Sequence, residues 1–238
     1  MVSSEQRGEV MPERICIITA RGGSKRIPHK NIREFCGKPI IVYSIEAALE
    51  SDIFDEVMVS TDDEEIAQVA RKYGAEVPFM RSAKTSDDFA TTADVIREVL
   101  SEYEAMGRTF DVVGCLYPTA PFVSADELKQ AAAMIEAGAN SVIPVTSFDF
   151  PPLRGFSVDE DGSLVYAFPE YATTRSQDLP EMVHDCGQFY FAKVEAFLES
   201  GSFITDITRA LRIPSKLVQD IDTPEDWEIA EQKYRAMV

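Results

Sequence analysis

Between Arg14 and Arg33 the chain carries six basic residues, Arg14, Arg21, Lys25, Arg26, Lys30 and Arg33, and not one Asp or Glu. The whole chain has the opposite sign: 41 acidic against 23 basic side chains give its 238 residues a net charge of −18. The centre of the basic run reads Arg21-Gly22-Gly23-Ser24-Lys25-Arg26-Ile27-Pro28-His29-Lys30-Asn31 and follows an apolar, strand-like run. Glycines let the backbone approach a ligand and present N–H donors, Ser24 adds a hydroxyl, and Arg21 and Lys30 can neutralise phosphate oxygens. Together they describe a polyphosphate cradle, the alternative being an exposed basic turn without a ligand. The loop is neither a Walker A sequence nor a dinucleotide fingerprint, because both spacings are absent. A second constellation is Asp220 and Asp222, whose i,i+2 spacing in an extended segment puts both carboxylates on one side. Two hard oxygen ligands suit Mg²⁺, which takes a few carboxylates together with phosphates and water. Without further context, a helix-capping Asp beside an exposed one explains the pair equally well.

The elements that position these groups alternate. Arg14–Ala20, Val57–Ser60, Val112–Leu116 and Ser141–Val145 are short buried-strand runs, and Leu217-Val218 precedes the Asp pair. Helical spacing recurs at Ile41, Ile45, Ala48 and Leu49, with Pro39 expected in the first turn, and at Ile66, Val69, Ala70 and Tyr73 with Gly74 as the stop. Further helices are marked by Val95 to Tyr103, by Ser124 with Glu127 as a capping box, and by Thr223-Pro224 opening a terminal helix. Apolar strands separated by amphipathic helices predict an α/β fold: a mostly parallel sheet, covered on both faces, with ligands at the C-terminal strand ends. Residues 147–186, rich in Phe, Pro, Tyr and Asp, break the rhythm and are expected as an inserted β-ribbon arm with a substrate loop. The expected division is a domain over 13–238 carrying that arm, preceded by a polar leader at 1–12.

Composition closes off other classes. The acidic balance argues against a general nucleic-acid binder and against a basic membrane-surface protein. No apolar run reaches the ~18 residues of a membrane span, and the N-terminus lacks the apolar region of a signal peptide. Cys16, Cys36, Cys115 and Cys186 have no metal-ligand spacing, so the expectation is reduced thiols in a cytoplasmic protein.

From Ala20 to Asn31 the chain resembles the nucleotide-binding motif of the CMP-sialic acid synthetase family, the cytidylyltransferases that activate nonulosonic acids. Thr19 stands where many members carry Pro. The resemblance continues through Gly37-Lys38-Pro39-Ile40, Ser60-Thr61-Asp62 and Pro118-Thr119-Ala120-Pro121. It ends at Asp220-Ile221-Asp222-Thr223-Pro224, so it spans nearly the whole chain in family order. It implies a three-layer, Rossmann-like nucleotidyltransferase fold and transfer of CMP from CTP to a sugar's anomeric hydroxyl, with release of pyrophosphate.

The resemblance also implies roles. Arg21, Gly22, Gly23, Ser24 and Lys30 would hold the CTP phosphates, with Asn31 near the nucleotide sugar or α-phosphate. Asp220 and Asp222 would bind Mg²⁺, and Arg21, Lys30 and the two aspartates would carry the catalysis. Arg81, Ala90 and Thr92 match a segment that surrounds the cytosine; Thr91 or Thr92 also suits a helix cap, and both roles are compatible. Acids at Asp62 to Glu65 read as a dipole-complementing first turn rather than a second metal site. Asp87 and Asp88 read as a polar loop near the cytosine segment. Tyr117 replaces the usual Gln of sialic acid members, and the runs Thr174–Leu179 and His184–Tyr190, with Phe168–Tyr171, resemble the pseudaminic acid branch, although Val183 stands where that branch often has Tyr. Tyr117, Arg175, Gln177, His184, Asp185 and Gln188 are therefore the candidate sugar contacts, with Arg175 for the sugar carboxylate. His184 has the alternative of a merely structural hydrogen bond, and His29 that of packing within the loop. Pseudaminic acid is the expected sugar, with N-acetylneuraminate or legionaminate as alternatives within the class and a non-catalytic nucleotide-binding regulator as the alternative outside it. A homodimer built on the arm is expected, as in this family.

Overall fold

The computed structural model describes residues 12–237, so the expected leader lies outside the described residues apart from Pro12. The chain runs β1 (Arg14–Thr19), β2 (Glu34–Phe35), β3 (Lys38–Pro39), α1 (Ile41–Ser51), β4 (Glu56–Ser60), α2 (Glu64–Lys72), α3 (Thr92–Ala105), β5 (Val112–Leu116) and α4 (Ala125–Glu136). It continues with β6 (Ser141–Ser147), β7 (Phe156–Val158), β8 (Leu164–Tyr166), β9 (Val183–Asp185), β10 (Phe189–Lys193), α5 (Val194–Ser200), β11 (Thr208–Arg212) and α6 (Pro224–Arg235). A seven-stranded sheet has the order β11-β6-β10-β5-β1-β4, with β9 pairing β6. Strands β4, β1 and β5 are parallel to one another, as β11 is to β6, while β10 runs antiparallel between β5 and β6 and β9 is antiparallel to β6.

Strands β1 and β5 are apolar on both faces because helices cover both. One layer packs α1, α2 and α4 onto the sheet through Ile41, Ile45, Ile66, Leu128 and Ile135. The other packs α3 and α5 through Ile96, Val99, Tyr103 and Phe197. The helices start where local chemistry tells them to. Asp63 accepts from the Glu65 and Ile66 amides at the start of α2, and Thr91 with Asp94, Ser124 with Glu127 and Thr223 with Asp226 form capping boxes. Gly74, at φ 94°, supplies the left-handed residue that ends α2.

A third apolar cluster matters most for the site. Ile27, Phe35, Ile40, Tyr43, Phe122, Ile221, Trp227 and Ala230 pack together beside the sheet. It joins the basic loop (Ile27), the β2–β3 hairpin and the Asp220–Asp222 segment (Ile221) to α6.

Three expectations are corrected. Pro39 is not in a helical turn: it pairs with Glu34 in the β2–β3 hairpin, and α1 begins at Ile41. The Asp pair does not follow a strand through Leu217-Val218. The last strand is β11, and Leu217 ends a short 3-10 turn, Ser215–Leu217. The reason is that β11 is largely exposed and polar, so its apolar signal is weak. Within 147–186, the ribbon β7–β8 forms its own two-stranded sheet, but Val183–Asp185 returns to the main sheet as β9 and Cys186 is buried.

Candidate active site

The basic loop leaves the end of β1, an interior strand between β5 and the edge strand β4, where C-terminal strand ends leave backbone free for a ligand. The Ala20 amide bonds to Ser60 O of β4 at 2.9 Å, and Asn31 Nδ2 donates to Arg21 O at 2.8 Å, which closes the loop on itself. Asn31 is buried, so its role in the free protein is to hold the loop. The Gly22 amide is not free: it donates to Asp62 Oδ1 at 2.9 Å. Asp62 therefore lies before α2 and braces the basic loop, while Asp63 is the cap and Glu64 and Glu65 occupy the first turn. His29 sits in the left-handed region at φ 51°, immediately before the 3-10 turn Lys30–Ile32.

Thr19, Arg21, Ser24, Lys25, Arg26, Lys30 and Asn31 line a cavity of about 410 Å³, together with Tyr117, Pro118, Thr119 and Asp222. Four cations of one loop thus face one space. Asp222 enters from the other side: its Oδ1 lies 2.8 Å from Arg26 Nη2 and 3.5 Å from Lys30 Nζ. Asp220 is exposed and separated from Asp222 by the buried Ile221. No group of three or more His, Cys, Asp or Glu side chains gathers among the described residues. Asp222 at the wall of a polycationic cavity, with Asp220 two residues before it, nevertheless suits a hard divalent cation such as Mg²⁺, which keeps several waters and takes the rest of its ligands from substrate phosphates.

A smaller cavity, about 190 Å³, adjoins the first and shares Thr19, Arg21 and Tyr117 with it. Arg81, Thr85, Asp87, Ala90, Thr92 and Val95 complete its wall. The three residues expected at a base are thus brought together next to the phosphate cradle. Arg81 is buried, donates to Ser60 Oγ at 3.0 Å, and takes its backbone partner from Thr61 O. Burial pulls its guanidinium below the usual range, with Asp62 and Glu98 opposing. The Ala90 amide is engaged by Asp87 Oδ1 at 2.8 Å, and Thr91, not Thr92, caps α3. That leaves the Thr92 hydroxyl for Tyr117 OH, 3.3 Å away.

Tyr117 forms a wall of both cavities. Its phenol is pushed up by burial, and its ring meets Tyr190 edge-on at 5.6 Å between centroids. Tyr190 OH donates to Asp185 Oδ2 at 2.6 Å, while Asp185 Oδ1 accepts from the Gly187 amide. Gln188 is 2% exposed; its Nε2 donates to Leu217 O at 2.6 Å and its Oε1 has no partner among the described residues. His184 packs against Phe148 with its ring tilted by 54°, and lines a third cavity of about 660 Å³ with Lys216, Gln219 and Lys233. This cavity lies at the end of β6, on the same edge of the sheet. Arg175 and Gln177 line none of these cavities. They lie in a 3-10 segment beyond the ribbon, where Arg175 Nε pairs with Asp178 at 2.7 Å and is largely exposed.

Three residues take a place here that the sequence did not give them: Asp62, read as part of a helix first turn, braces the basic loop; Arg26 faces Asp222; and Asp88, read as a polar loop near the cytosine segment, pairs with the basic loop. Asp88 Oδ1 accepts from Arg21 Nη1 at 2.9 Å, and its other oxygen pairs with Lys25. Only the excess of charge in the loop hinted that opposite charges had to come from elsewhere.

The cytidylyltransferase family profile matches residues 15–177. Over 223 residues the chain is 45% identical to the pseudaminic acid cytidylyltransferase of Campylobacter jejuni, covering 93% of this chain and 96% of that one. It is 35% identical to the CMP-N,N'-diacetyllegionaminic acid synthase of Legionella pneumophila, over 92% and 94% of the two chains. In fold it is similar to a CMP:2-keto-3-deoxy-manno-octonic acid synthetase solved with CTP, with a TM-score of 0.68 over 95% of this chain and all of that one, at 18% identity. The architecture is the nucleotidyltransferase α/β fold, and the chain belongs to the cytidylyltransferase family of enzymes.

Proposed function

We propose that this enzyme transfers CMP from CTP to the anomeric hydroxyl of pseudaminic acid, giving the CMP-sugar and pyrophosphate. The observation that carries the CTP half is the pair of adjoining cavities: a four-cation cradle facing Asp222, and beside it a space walled by Arg81, Ala90 and Thr92. The sugar half is supported by the extent of the likeness to the Campylobacter jejuni protein and by Tyr117 and His184–Tyr190.

Arg21, Ser24, Lys25, Arg26 and Lys30 bind the triphosphate and offset the charge that accumulates as the α-phosphate is attacked. Arg81 and Thr92 orient the base, and Tyr117 separates base from phosphate and faces the incoming sugar. Gln188, whose carbonyl accepts from the Tyr117 amide, and Asp185, bonded to Tyr190 against the Tyr117 ring, adjoin that wall; His184 lines the cavity at the end of β6, and Arg175 is the candidate for the sugar carboxylate. Catalysis is alignment plus electrostatics, since in-line attack at phosphorus needs no covalent enzyme intermediate. Cytidylyltransferases of this kind use a divalent metal; here Asp220 and Asp222 would hold Mg²⁺, which would supply charge neutralisation at the phosphates.

The ribbon β7–β8 carries exposed Phe156, Val158, Leu164 and Val165, which suits a homodimer. The cytoplasm suits an enzyme that consumes CTP, and the four free thiols fit a reducing compartment. Among the described residues no helix is long and apolar enough to cross a membrane.

The test is pyrophosphate release from CTP and Mg²⁺ with pseudaminic, legionaminic and N-acetylneuraminic acids supplied separately. Pseudaminic acid is expected to turn over fastest, and EDTA to stop the reaction. Preference for either other sugar overturns the assignment of the sugar, and CTP binding without turnover of any of them makes the protein a regulator instead.

A further inference from the structure

In the free protein every cation of the cradle already faces a carboxylate. Arg26 and Lys30 face Asp222, whose place is explained by the proposed metal site. Arg21 and Lys25 face Asp88, which no step of the reaction uses. Asp88 takes the two cations with its two oxygens, and the backbone carbonyl of Asp87 takes Arg21 Nη1 as well, at 3.1 Å. This is the arrangement a phosphate group would make with the same two side chains. The Lys25 hydrogen bond and charge, then those of Arg21, hold the Asp88 carboxyl below the usual range, so it is an anion at neutral pH.

The segment that bears Asp88 is fastened at both ends and loosely held between them. At its start, Glu98 of α3 accepts from the Ser82 amide, the Ser82 hydroxyl and the Thr85 hydroxyl. At its end, the Thr91–Asp94 capping box fixes the first turn of α3. Between them, the Asp87 side chain closes a turn on the Phe89 and Ala90 amides, and Phe89 is 90% exposed. The same segment forms one wall of the base cavity through Thr85, Asp87 and Ala90. A base seated there touches the loop that holds Arg21 and Lys25 through Asp88.

We propose that Asp88 is a built-in competitor for the polyphosphate: an internal anion that occupies Arg21 and Lys25 in the free protein, gives them up when CTP binds, and takes them back as pyrophosphate leaves. A ligand shifts such an equilibrium by contacts that differ between the two states, and the freed Arg21 and Lys25 are such contacts for every polyphosphate, so Asp88 weakens all of them by one common factor. Exposed ion pairs are individually weak, so that factor is modest, of the order of fivefold. The inference rests on the reading of CTP as substrate.

Calorimetry of wild type, Asp88→Asn and Asp88→Glu with CTP and with inorganic tripolyphosphate, at one Mg²⁺ concentration and ionic strength, tests it. Melting temperature serves as the check that each variant is folded. Asp88→Asn is expected to tighten CTP and tripolyphosphate by a similar factor of about five, and Asp88→Glu to keep the wild-type affinities. No change in either ligand, weaker binding of either, or tightening of one alone overturns the proposal. If wild type binds CTP no better than tripolyphosphate, the CTP reading falls and takes this inference with it. If wild type prefers CTP and Asp88→Asn leaves both affinities unchanged, only the role of Asp88 falls.

Discussion

At Gly22 a β-carbon would lie 2.6 Å from Asp63 Oδ2 and 2.9 Å from Asp63 Cβ, whereas at Gly23 it would meet nothing within 4 Å. Asp63 cannot easily retreat, because its other oxygen caps α2. Gly22→Ala should therefore lower the melting temperature by a few degrees, an effect of about 1–3 kcal/mol for forced overpacking, and weaken CTP binding. Gly23→Ala should leave the melting temperature where it is. Equal melting curves for the two variants would show that the close approach of the basic loop to α2 is not a constraint. The charge contrast made Arg21 and Lys30 legible in the sequence, because a net positive run in an acidic chain needs an anion. Their partners were not legible. Asp62, Asp88 and Asp222 reach the loop from 40 to 192 residues away, and nothing local in the sequence records such contacts.

The elements that set those distances are small. The basic loop and the Asp220–Asp222 segment meet because Ile27 and Ile221 are both buried in the cluster around Phe35 and Trp227. Ile221→Ala would remove that anchor at a cost of about 2–5 kcal/mol, the range for truncating a buried Ile. It should also weaken CTP binding more than Asp222→Asn does. Asp222→Asn keeps the anchor and should instead abolish Mg²⁺-dependent turnover, with CTP binding retained in the absence of metal. Turnover unchanged in Asp222→Asn would dismiss the aspartate as a metal ligand. Helices were readable at this scale because caps and apolar periodicity are local: all three capping boxes involve residues three apart. The direction of β10 was not, since a strand buried on both faces has the same pattern whichever way it runs. Pro39 shows the same limit. Its fixed φ suits a helix start and an edge strand alike, and the pairing with Glu34 decides between them.

For the whole molecule, −18 is a poor guide to partners and a good guide to state. Charge of one sign spread over a surface opposes self-association through repulsion, so any dimer has to be driven by a local apolar patch. The ribbon β7–β8 supplies one. A two-stranded hairpin is marginal by itself, and this one leaves Phe156, Val158, Leu164, Val165 and Tyr166 exposed or half-exposed, with a Phe156–Tyr166 ring contact across it. Burying such side chains against a second copy would stabilise both the ribbon and the pair, at about 25 cal/mol for each Å² removed from water. Sedimentation of the wild type at micromolar concentration should therefore give twice the 26.5 kDa chain mass. Val158→Asp combined with Leu164→Asp should give the single-chain mass with an unchanged melting transition of the main sheet, because neither residue packs against that sheet. The dimer should also tighten as salt screens the acidic surfaces, which a dimer held by ion pairs would not do. A monomeric wild type, or a double variant that still sediments as a dimer, would place the interface elsewhere and leave the apolar ribbon to another partner.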